Sequence, residues 1–407
     1  MSLFTSTDFA SVCAQGTDWR DTSKKVLEQL EIARTKPDYF NFGFLYVSDH
    51  LCDDTVSILN LFKSVLGIDH WTGTNGIGVI GCGEAISDAP AISAMICRFP
   101  ENSFCLLEPH QETLKVPDEW LKTNTPLFSI IHGNLSKTPD LQNELKDIET
   151  QTNSFLVGGL GSVNSNHING EIQSTPISGT TFASDVSIST MPTQGVKQVS
   201  PFHTITKADG NIILEINNKR ALDVFQKDLR ILAARKLKKT PEEFITELQS
   251  VQSSDQIPEE FQSLFQGQIH VALPSTLSDQ RDYLVRDITN IDPDIGSISI
   301  SEHVGTGDTL LLVERNYETI CSDLANNLVR LRKRIQNEKQ CFAPKAALYI
   351  SCIERCAPRK DPEMDPNYEM HLIQDVIGDI PLTGFYAGGE IHNARLYGYT
   401  GILTLFF

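Results

Sequence analysis

The chain has 407 residues, of which 40% are hydrophobic and 21% are charged, a composition typical of a globular protein with room for two or three domains. Its formal net charge of −18 disfavours nucleic acid and anionic membrane surfaces as partners, because both attract clusters of Lys and Arg. No stretch approaches about 18 uninterrupted apolar residues, and the N-terminus has no signal-peptide pattern, so we predict neither a membrane-spanning segment nor secretion.

The cysteines and histidines predict neither a metal centre nor a disulfide framework. The nine cysteines are odd in number, and no two of them have the Cys-x2-Cys spacing of a zinc site. The ten histidines are scattered singly along the chain. We therefore expect free thiols in a reducing compartment, and a cytoplasmic protein.

The first predicted elements are two helices around a buried strand. Apolar residues at helical spacing predict a helix over residues 22–34, and the aromatic and β-branched stretch 40–48 predicts a strand. Asp53 or Asp54 can cap a second helix, which Gly67 would end. The apolar face of this second helix is predicted to contain Val56, Leu59, Phe62 and Leu66.

A strand–helix–glycine-rich strand–strand unit is predicted to occur three times, beginning at the strands 40–48, 127–133 and 346–351. In the first and last copies the glycine-rich segments align, with Gly-Cys-Gly-Glu at 81–84 beside Ala-Gly-Gly-Glu at 387–390. We interpret these two copies as true internal repeats. For the middle copy, chance similarity of short α/β segments is the alternative explanation.

The segment before the last copy predicts a hairpin followed by helices. Two alternating runs flank Asp209-Gly210 within residues 203–216, which is a strong hairpin pattern. A helix is expected to start near Ala221, and Thr-Pro-Glu-Glu at 240–243 has the pattern of a capping box. A later amphipathic helix is predicted from Ile320, Leu324, Leu328, Leu331 and Ile335.

These elements predict an α/β fold of two closely packed domains, with mixed β-sheets flanked by helices and repeated strand–helix–strand–strand units. The boundary is expected near residues 217–221, where the hairpin ends. We predict an N-terminal extension at 1–21, a first domain at 22–219 and a second domain at 220–407.

Few motifs in the chain indicate chemistry. Gly76, Gly78 and Gly81 have the spacing of a dinucleotide fingerprint, but no helix N-terminus follows them to bind phosphate, so nucleotide binding is disfavoured. Cys352 closes a predicted strand, where it is either a displayed reactive thiol or a small apolar core residue. Arg355, just beyond it, either binds a ligand carboxylate or pairs with Glu354 or a surface acid.

Three stretches of the chain resemble the FIST domains. Residues 193–225 resemble the closing segment of the N-terminal FIST domain, although Val196 replaces the usual cysteine. Residues 283–315 resemble the beginning and middle of the C-terminal FIST domain. The end of that domain has a specific sequence pattern, which this chain follows except that Glu354 replaces the usual glycine. The residues that fit this pattern are Cys352, Arg355, Gly384, Phe385, Gly389, Glu390, Ile391 and Thr400.

The resemblance implies a sensory module of signal-transduction proteins that binds small ligands such as amino acids. It also implies a link to relatives that bind haem, sense nitric oxide and act on a partner histidine kinase. No F-box, kinase, receiver or methyl-accepting segment accompanies the FIST pattern, so we expect the signal to pass through a partner protein.

The leading hypothesis is a non-enzymatic sensor whose ligand binds between the N- and C-terminal halves, at strand ends where glycines permit close backbone approach. Arg355 would bind a carboxylate of the ligand, and Glu390 an amine or another hydrogen-bond donor. The predicted ligand-binding residues are Cys352, Arg355, Tyr386, Gly388, Gly389, Glu390 and His392. No catalytic residue and no metal ligand is predicted.

Two alternatives stay open from the sequence. One is a haem-based nitric oxide sensor that acts on a histidine kinase, which needs an axial His, Cys or Tyr that the sequence does not place. The other is a cysteine-dependent hydrolase, in which Cys352 would be the nucleophile and a histidine such as His392 the base.

Overall fold

The structure of the protein is a computed structural model, and it describes residues 2–34, 39–110, 113–134, 140–162, 166–173, 175–240, 242–243, 269–275, 282–356 and 365–407. The helices of these residues are α1 (Trp19–Ala33), α2 (Thr55–Leu66), α3 (Asp118–Leu121), α4 (Leu141–Thr152), α5 (Ala221–Lys236), α6 (Tyr317–Lys339) and α7 (Tyr368–Ile377). The strands are β1 (Ser2–Thr5), β2 (Phe9–Gln15), β3 (Phe42–Ser48), β4 (Trp71–Gly76), β5 (Gly78–Gly81), β6 (Glu84–Ser87), β7 (Ala91–Cys97), β8 (Phe104–Leu106), β9 (Glu108–His110), β10 (Thr113–Lys115), β11 (Pro126–Gly133), β12 (Phe155–Leu160), β13 (His167–Asn169), β14 (Glu171–Gln173), β15 (Ile177–Ala183), β16 (Ile188–Thr193), β17 (Lys197–Gln198), β18 (His203–Asp209), β19 (Ile212–Ile216), β20 (Lys219–Arg220), β21 (Ile269–Pro274), β22 (Tyr283–Arg286), β23 (Ile288–Asp292), β24 (Ser297–Ile300), β25 (Thr309–Glu314), β26 (Ala346–Cys352), β27 (Leu382–Ala387), β28 (Glu390–His392), β29 (Arg395–Tyr397) and β30 (Gly401–Phe406). This mixture of helices and strands confirms the predicted α/β class.

The chain divides into two compact units. Unit 1 contains Met1–Gln194 and Leu324–Phe407, and unit 2 contains Gly195–Asp323. The first and last parts of the chain belong to one unit because strands from both ends of the sequence share its sheets. The domain limit predicted at 219–220 lies inside unit 2, and the predicted domains stay a prediction.

Unit 1 contains three mixed sheets with the same central order of strands. Sheet A has the order β1-β2-β7-β3-β4-β13-β14, sheet B the order β16-β30-β26-β27-β5-β6, and sheet C the order β8-β15-β11-β12-β28-β29. In each sheet a strand–helix–strand crossover gives two parallel central strands, and the last strand of the same copy pairs antiparallel with the first. All three predicted copies of the repeat are therefore present, including the middle one.

One glycine in the second strand of each copy lies against a backbone carbonyl of the first strand. A Cβ atom added there would lie 1.8, 1.8 or 1.7 Å from the carbonyl oxygen, which is far inside van der Waals contact. The three pairs are Gly73 with Leu45, Gly158 with Ile131, and Gly384 with Tyr349. Close backbone approach therefore requires glycine at these positions.

A hairpin in each copy joins the sheet of another copy. The hairpin β5–β6 of the first copy extends sheet B, β13–β14 of the second extends sheet A, and β28–β29 of the third extends sheet C. Each hairpin places an isoleucine opposite one of these glycines: Ile80 opposite Gly384, Ile168 opposite Gly73, and Ile391 opposite Gly158. The predicted alignment of 81–84 with 387–390 is therefore wrong, because Glu84 follows its hairpin turn whereas Glu390 precedes its own.

The three sheets of unit 1 share one apolar core and carry helices on their other faces. The core includes Phe44 of sheet A, Ile350 of sheet B and Ile130 of sheet C. Helices α1 and α2 pack on sheet A, α4 packs on sheet C, and α7 with the C-terminal part of α6 packs on sheet B. Val56, predicted on the apolar face of α2, is 51% exposed; Ile58 is buried instead, because it lies about one helical turn from Phe62.

Unit 2 is a nine-stranded sheet against which α5 packs. Its order is β22-β21-β25-β18-β19-β24-β23, with β17 beside β25 and β20 beside β19. The predicted hairpin is confirmed, since Gly210 has a φ of 60° between β18 and β19, and α5 begins at Ala221 as predicted. The reciprocal capping-box bonds between Thr240 and Glu243 are also present.

Candidate functional site

The parallel strands β26 and β27 of sheet B end side by side, and part of the predicted site lies at this edge. Cys352 is the last residue of β26 and is paired with Ala387, while Tyr386 is paired with Ser351. The side chains of Cys352 and Tyr386 are both buried. Of the two interpretations of Cys352, this position supports the small core residue.

Arg355 follows β26 and forms an ion pair with Glu369 of α7. Its Nη2 and Nε atoms lie 2.6 and 2.8 Å from Glu369 Oε1. The hydroxyl groups of Tyr349 and Ser351 donate to the same carboxylate at 2.9 and 2.8 Å. We call these four buried residues the Arg355–Glu369 cluster. Arg355 therefore pairs with a buried acid of α7, which differs from the Glu354 or surface acid that the sequence suggested as its partner.

Charge compensation explains how this cluster is stable in the interior. Burial lowers the pKa of Arg355, but the neighbouring Glu369 and Tyr349 raise it by more, so the guanidinium stays charged. Its Nη1 also donates to the carbonyl oxygens of Thr193 and Tyr399, each at 3.3 Å. Burial raises the pKa of Tyr349, so its phenol stays protonated and can donate. The guanidinium is thus directed at groups of the protein itself.

Glu390 and His392 lie in β28, which belongs to sheet C. Glu390 is fully buried, and its Oε2 accepts a hydrogen bond from the backbone N–H of Thr400 at 3.0 Å. The carbonyl of Thr400 in turn accepts from the N–H of Cys352 at 2.9 Å. Through Thr400, the structure therefore brings predicted residues of sheets B and C to one place.

The two adjacent glycines of the predicted site have different surroundings. A Cβ on Gly389 would lie 3.1 Å from both Leu160 Cδ1 and Leu396 Cδ1, so tight packing explains this glycine. Gly388 is exposed, and the nearest atom to a Cβ there would be Gly161 O at 3.8 Å. The space around Gly388 thus has room for a side chain or for an atom of a ligand.

His392 and Cys352, the pair of the hydrolase alternative, belong to different sheets. The His392 ring packs edge-on against Phe155, with 5.1 Å between ring centroids, and burial lowers the pKa of His392 to about 4. A cysteine nucleophile needs a base within hydrogen-bonding reach, and the hydrolase alternative stays a prediction.

A cleft of about 490 Å³ opens in unit 1 at the start of α7. We call it the unit 1 cleft; it is lined by Gln15, Lys25, Glu84, Ala85, Ile86, Pro366 and Asn367. None of the seven predicted ligand-binding residues is among them. Glu84 had a signal in the sequence, since it ends the glycine-rich segment 81–84, but Gln15 and Lys25 had none.

The bonds around the unit 1 cleft hold its polar groups in place. Lys25 Nζ lies 2.8 Å from Asp21 Oδ2, and Asn367 Oδ1 accepts from the backbone N–H of Ala85 at 2.8 Å, which connects α7 to β6. Lys25 and Glu84 give the cleft one cationic and one acidic side chain. This combination suits a ligand that carries both charges.

Comparison with known families identifies the chain. A family model described as the FIST N domain matches residues 41–219, and one described as the FIST C domain matches residues 221–393. The chain belongs to the FIST family. FIST domains are associated with sensory signal transduction and small-ligand binding. Membership of the family therefore assigns the chain to this general class and does not identify the ligand.

Curated relatives of this FIST chain include mycobacterial proteins. An uncharacterized protein of Mycobacterium tuberculosis is 28% identical over 218 residues, which are 52% of this chain and 49% of the relative. An uncharacterized protein of Mycobacterium bovis is 27% identical over 218 residues, with the same coverage of 52% and 49%. The chain therefore spans about half the length of the curated relatives that it matches.

Two clefts among the described residues have no axial ligand in their lining for haem, which the FIST resemblance suggested. Haem iron is held by an axial His, Cys, Met or Tyr. The unit 1 cleft has none of these in its lining, and neither has a smaller cleft of about 290 Å³ in unit 2. Among the described residues, no cluster of His, Cys, Asp and Glu is arranged to hold a metal ion.

No helix in the described part of the chain is long and apolar enough to cross a bilayer.

Proposed function

We propose that this FIST protein is a cytoplasmic, non-catalytic sensor that binds an amino acid or a similar small molecule in the unit 1 cleft. The observation that carries the proposal is a cleft of about 490 Å³ that has Lys25 and Glu84 in its lining. Sites for small molecules usually measure about 300–1,000 Å³. The bound state would be read by a partner, such as a histidine kinase or another signalling protein.

The charges of the unit 1 cleft match those of an amino acid. Lys25 offers an ammonium group to the ligand carboxylate, and Glu84 offers a carboxylate to the ligand amine. The contact with Asp21 at 2.8 Å holds the Lys25 ammonium in position. Gln15 and Asn367 add amide groups, which both donate and accept hydrogen bonds.

Five of the seven lining residues of this cleft lie in the FIST-matched stretches, whereas Gln15 and Lys25 precede both matches. Glu84, Ala85 and Ile86 lie within the FIST N match, and Pro366 and Asn367 lie within the FIST C match. A ligand in the cleft would therefore contact both parts of the sequence. This supports the predicted position between the N- and C-terminal halves of the sequence, although the residues proposed here differ from those predicted.

In this proposal the Arg355–Glu369 cluster holds one wall of the unit 1 cleft in place. Glu369 lies in the first turn of α7, two residues after Asn367, and Arg355 holds it at 2.6 Å. An anchored first turn keeps Pro366 and Asn367 at the cleft wall. Direct ligand contacts by the seven residues predicted from the sequence stay a prediction, which the same experiment tests.

Isothermal titration calorimetry of the full chain with amino acids and organic acids tests the proposal. Lys25→Met and Glu84→Gln each remove one charged partner of the ligand. For any amino acid that binds the unaltered protein, each substitution is expected to weaken binding at least about tenfold, or about 1.4 kcal/mol.

Lys24→Met is the matched control, because Lys24 is the exposed neighbour of Lys25 on α1 and lies 3.8 Å from Glu28. It is expected to bind the ligand normally. If Lys25→Met and Glu84→Gln bind as tightly as this control while Glu390→Gln loses binding, the site lies at the C-terminal motif instead.

A further inference from the structure

The second cleft, of about 290 Å³, lies in unit 2 and has a buried acid in its wall. It is lined by Gln198, Val199, Ser200, Pro201, Asp228, Ile231 and Arg235. Asp228, Ile231 and Arg235 follow one another at spacings of three and four residues, so they share one face of α5. We call this the unit 2 cleft. It has no part in the function proposed above.

The hydrogen bonds around Asp228 define the state of its partner, His203. The backbone N–H of Thr204 donates to Asn217 Oδ1 at 2.9 Å, which fixes the orientation of the Asn217 amide. Asn217 Nδ2 therefore faces His203 Nδ1 at 2.9 Å, and because an amide nitrogen can only donate, Nδ1 must accept. The proton of a neutral imidazole is then on Nε2, which lies 2.6 Å from Asp228 Oδ2 and donates to it.

This network leaves Asp228 with a hydrogen bond but without a countercharge. The carboxylate is only 6% exposed, and its partner His203 is neutral in this arrangement. Among the described residues, no Lys or Arg lies within ion-pair distance of Asp228. Buried carboxylates are usually paired with a cation, so a carboxylate at the wall of a cleft is a site for an external cation.

The groups around Asp228 indicate an organic cation. Ile231, Val199 and Pro201 give the cleft an apolar wall that suits an alkyl chain. Ser200 is already satisfied within the protein, since its Oγ donates to Pro201 O at 2.9 Å and accepts from the N–H of Leu312 at 2.7 Å. A metal ion would find one carboxylate and few other free oxygen ligands here.

We propose that the unit 2 cleft binds small primary amines, with the ammonium group on Asp228 and the alkyl part against Ile231. The volume of about 290 Å³ admits a compact molecule and not a large cofactor. Arg235 lies at the same cleft and would add affinity for amines that also carry an anionic group. The site is independent of the unit 1 cleft.

Chemical-shift titration of the full chain with n-butylamine tests this site, with n-butanol and butyrate as probes of equal length. Butylamine is expected to shift resonances around α5, whereas butanol and butyrate are expected to leave them unchanged. Asp228→Asn keeps the shape of the side chain and removes its charge, so the affinity for butylamine is expected to fall at least tenfold.

Ile231→Lys provides a second variant that does not disturb the buried network, because Ile231 is 36% exposed. It places a tethered ammonium one helical turn from Asp228, where it would occupy the site, so butylamine binding is again expected to fall at least tenfold. Arg230→Gln is the control on the same helix: its side chain is exposed and 3.5 Å from Gln226, and it should bind normally.

Three results would each overturn the proposal. The first is equal affinity for butylamine and butanol, and the others are an unchanged butylamine affinity in folded Asp228→Asn or in Ile231→Lys. If Asp228→Asn does not fold, the result for Ile231→Lys decides. Lys25→Met and Glu84→Gln are expected to leave butylamine binding unchanged, so failure at one cleft is distinguishable from failure at the other.

Discussion

Two buried carboxylates of this FIST protein, Glu369 in unit 1 and Asp228 in unit 2, differ in how their charge is balanced. Glu369 is held by the guanidinium of Arg355 at 2.6 Å and receives two hydroxyl groups. Asp228 receives one hydrogen bond from a neutral imidazole at 2.6 Å and lies at a cleft. A buried acid with a complete set of partners stabilises the fold, whereas an acid without a countercharge is available to a ligand.

The largest effect is expected from Arg355→Leu. The substitution leaves the Glu369 carboxylate buried without its cation, so the free energy of unfolding should fall by about 3–5 kcal/mol. Urea denaturation at pH 7 measures this. Arg330→Leu, on the exposed surface of α6, is the control and should change stability by less than about 0.5 kcal/mol.

The double variant Arg355→Met with Glu369→Leu sharpens this prediction. Because it removes both charges, it should recover most of the stability that Arg355→Leu loses. If the single variant is as stable as the unaltered protein, the cluster is not a compensated pair, and the contrast with Asp228 disappears.

A third buried group, His132, should make the stability of the protein depend on pH. Burial, with His167 nearby, lowers the pKa of His132 to about 3, and its Nε2 lies 3.2 Å from Tyr46 Oη. Below pH 6.5 the unfolded chain therefore binds a proton that the native imidazole does not. His132 alone should therefore lower the stability as the pH decreases from about 6.5 towards 3, by about 2 kcal/mol between pH 8 and pH 5.

Denaturation of the unaltered protein and of His132→Phe at both pH values isolates this effect. The variant should lose about 2 kcal/mol less than the unaltered protein on going from pH 8 to pH 5. His50→Gln, an exposed site, should retain the full pH dependence. An identical pH dependence in His132→Phe would contradict the assignment.

The smallest effect is expected from Asp228→Asn. The asparagine Oδ1 can still accept the hydrogen bond from His203, and no buried cation is left behind, so stability should change by less than about 1 kcal/mol at pH 7. Thermal or urea unfolding measures it. A loss as large as that of Arg355→Leu would mean that Asp228, like Glu369, has an essential structural role.

Local patterns of the sequence predicted the elements well. The apolar spacing from Ile320 to Ile335 identified α6, and all five of its predicted residues are buried. The hairpin at Gly210 and the start of α5 at Ala221 were also predicted correctly. These features depend on neighbouring residues, whose backbone geometry and burial the sequence determines directly. The prediction that Val56 lies on the apolar face of α2 was wrong, because its direction around the helix axis points it to solvent.

The candidate site was predicted less completely, because its partners are distant in the sequence. Arg355 was recognised as a charged residue at a strand end, but no pattern indicated Glu369, 14 residues later, as its partner. The same holds for the unit 1 cleft, where Lys25 of α1 and Asn367 of α7 come together. Sequence spacing carries no information about such pairs until the order of the strands is known.

The sequence by itself determined the α/β class and the first and last copies of the strand–helix–strand repeat, since periodicity is enough for each, and its C-terminal motif indicated the resemblance to the FIST domains. The tertiary structure decided how the hairpins exchange between the three sheets. It thereby showed that Ile80 corresponds to Ile391, and that Glu84 does not correspond to Glu390. It also decided that Arg355 binds Glu369 and that Asp228 is hydrogen-bonded to His203. The physical reason is that charge compensation and cleft walls are made by long-range packing, which local sequence preferences leave open.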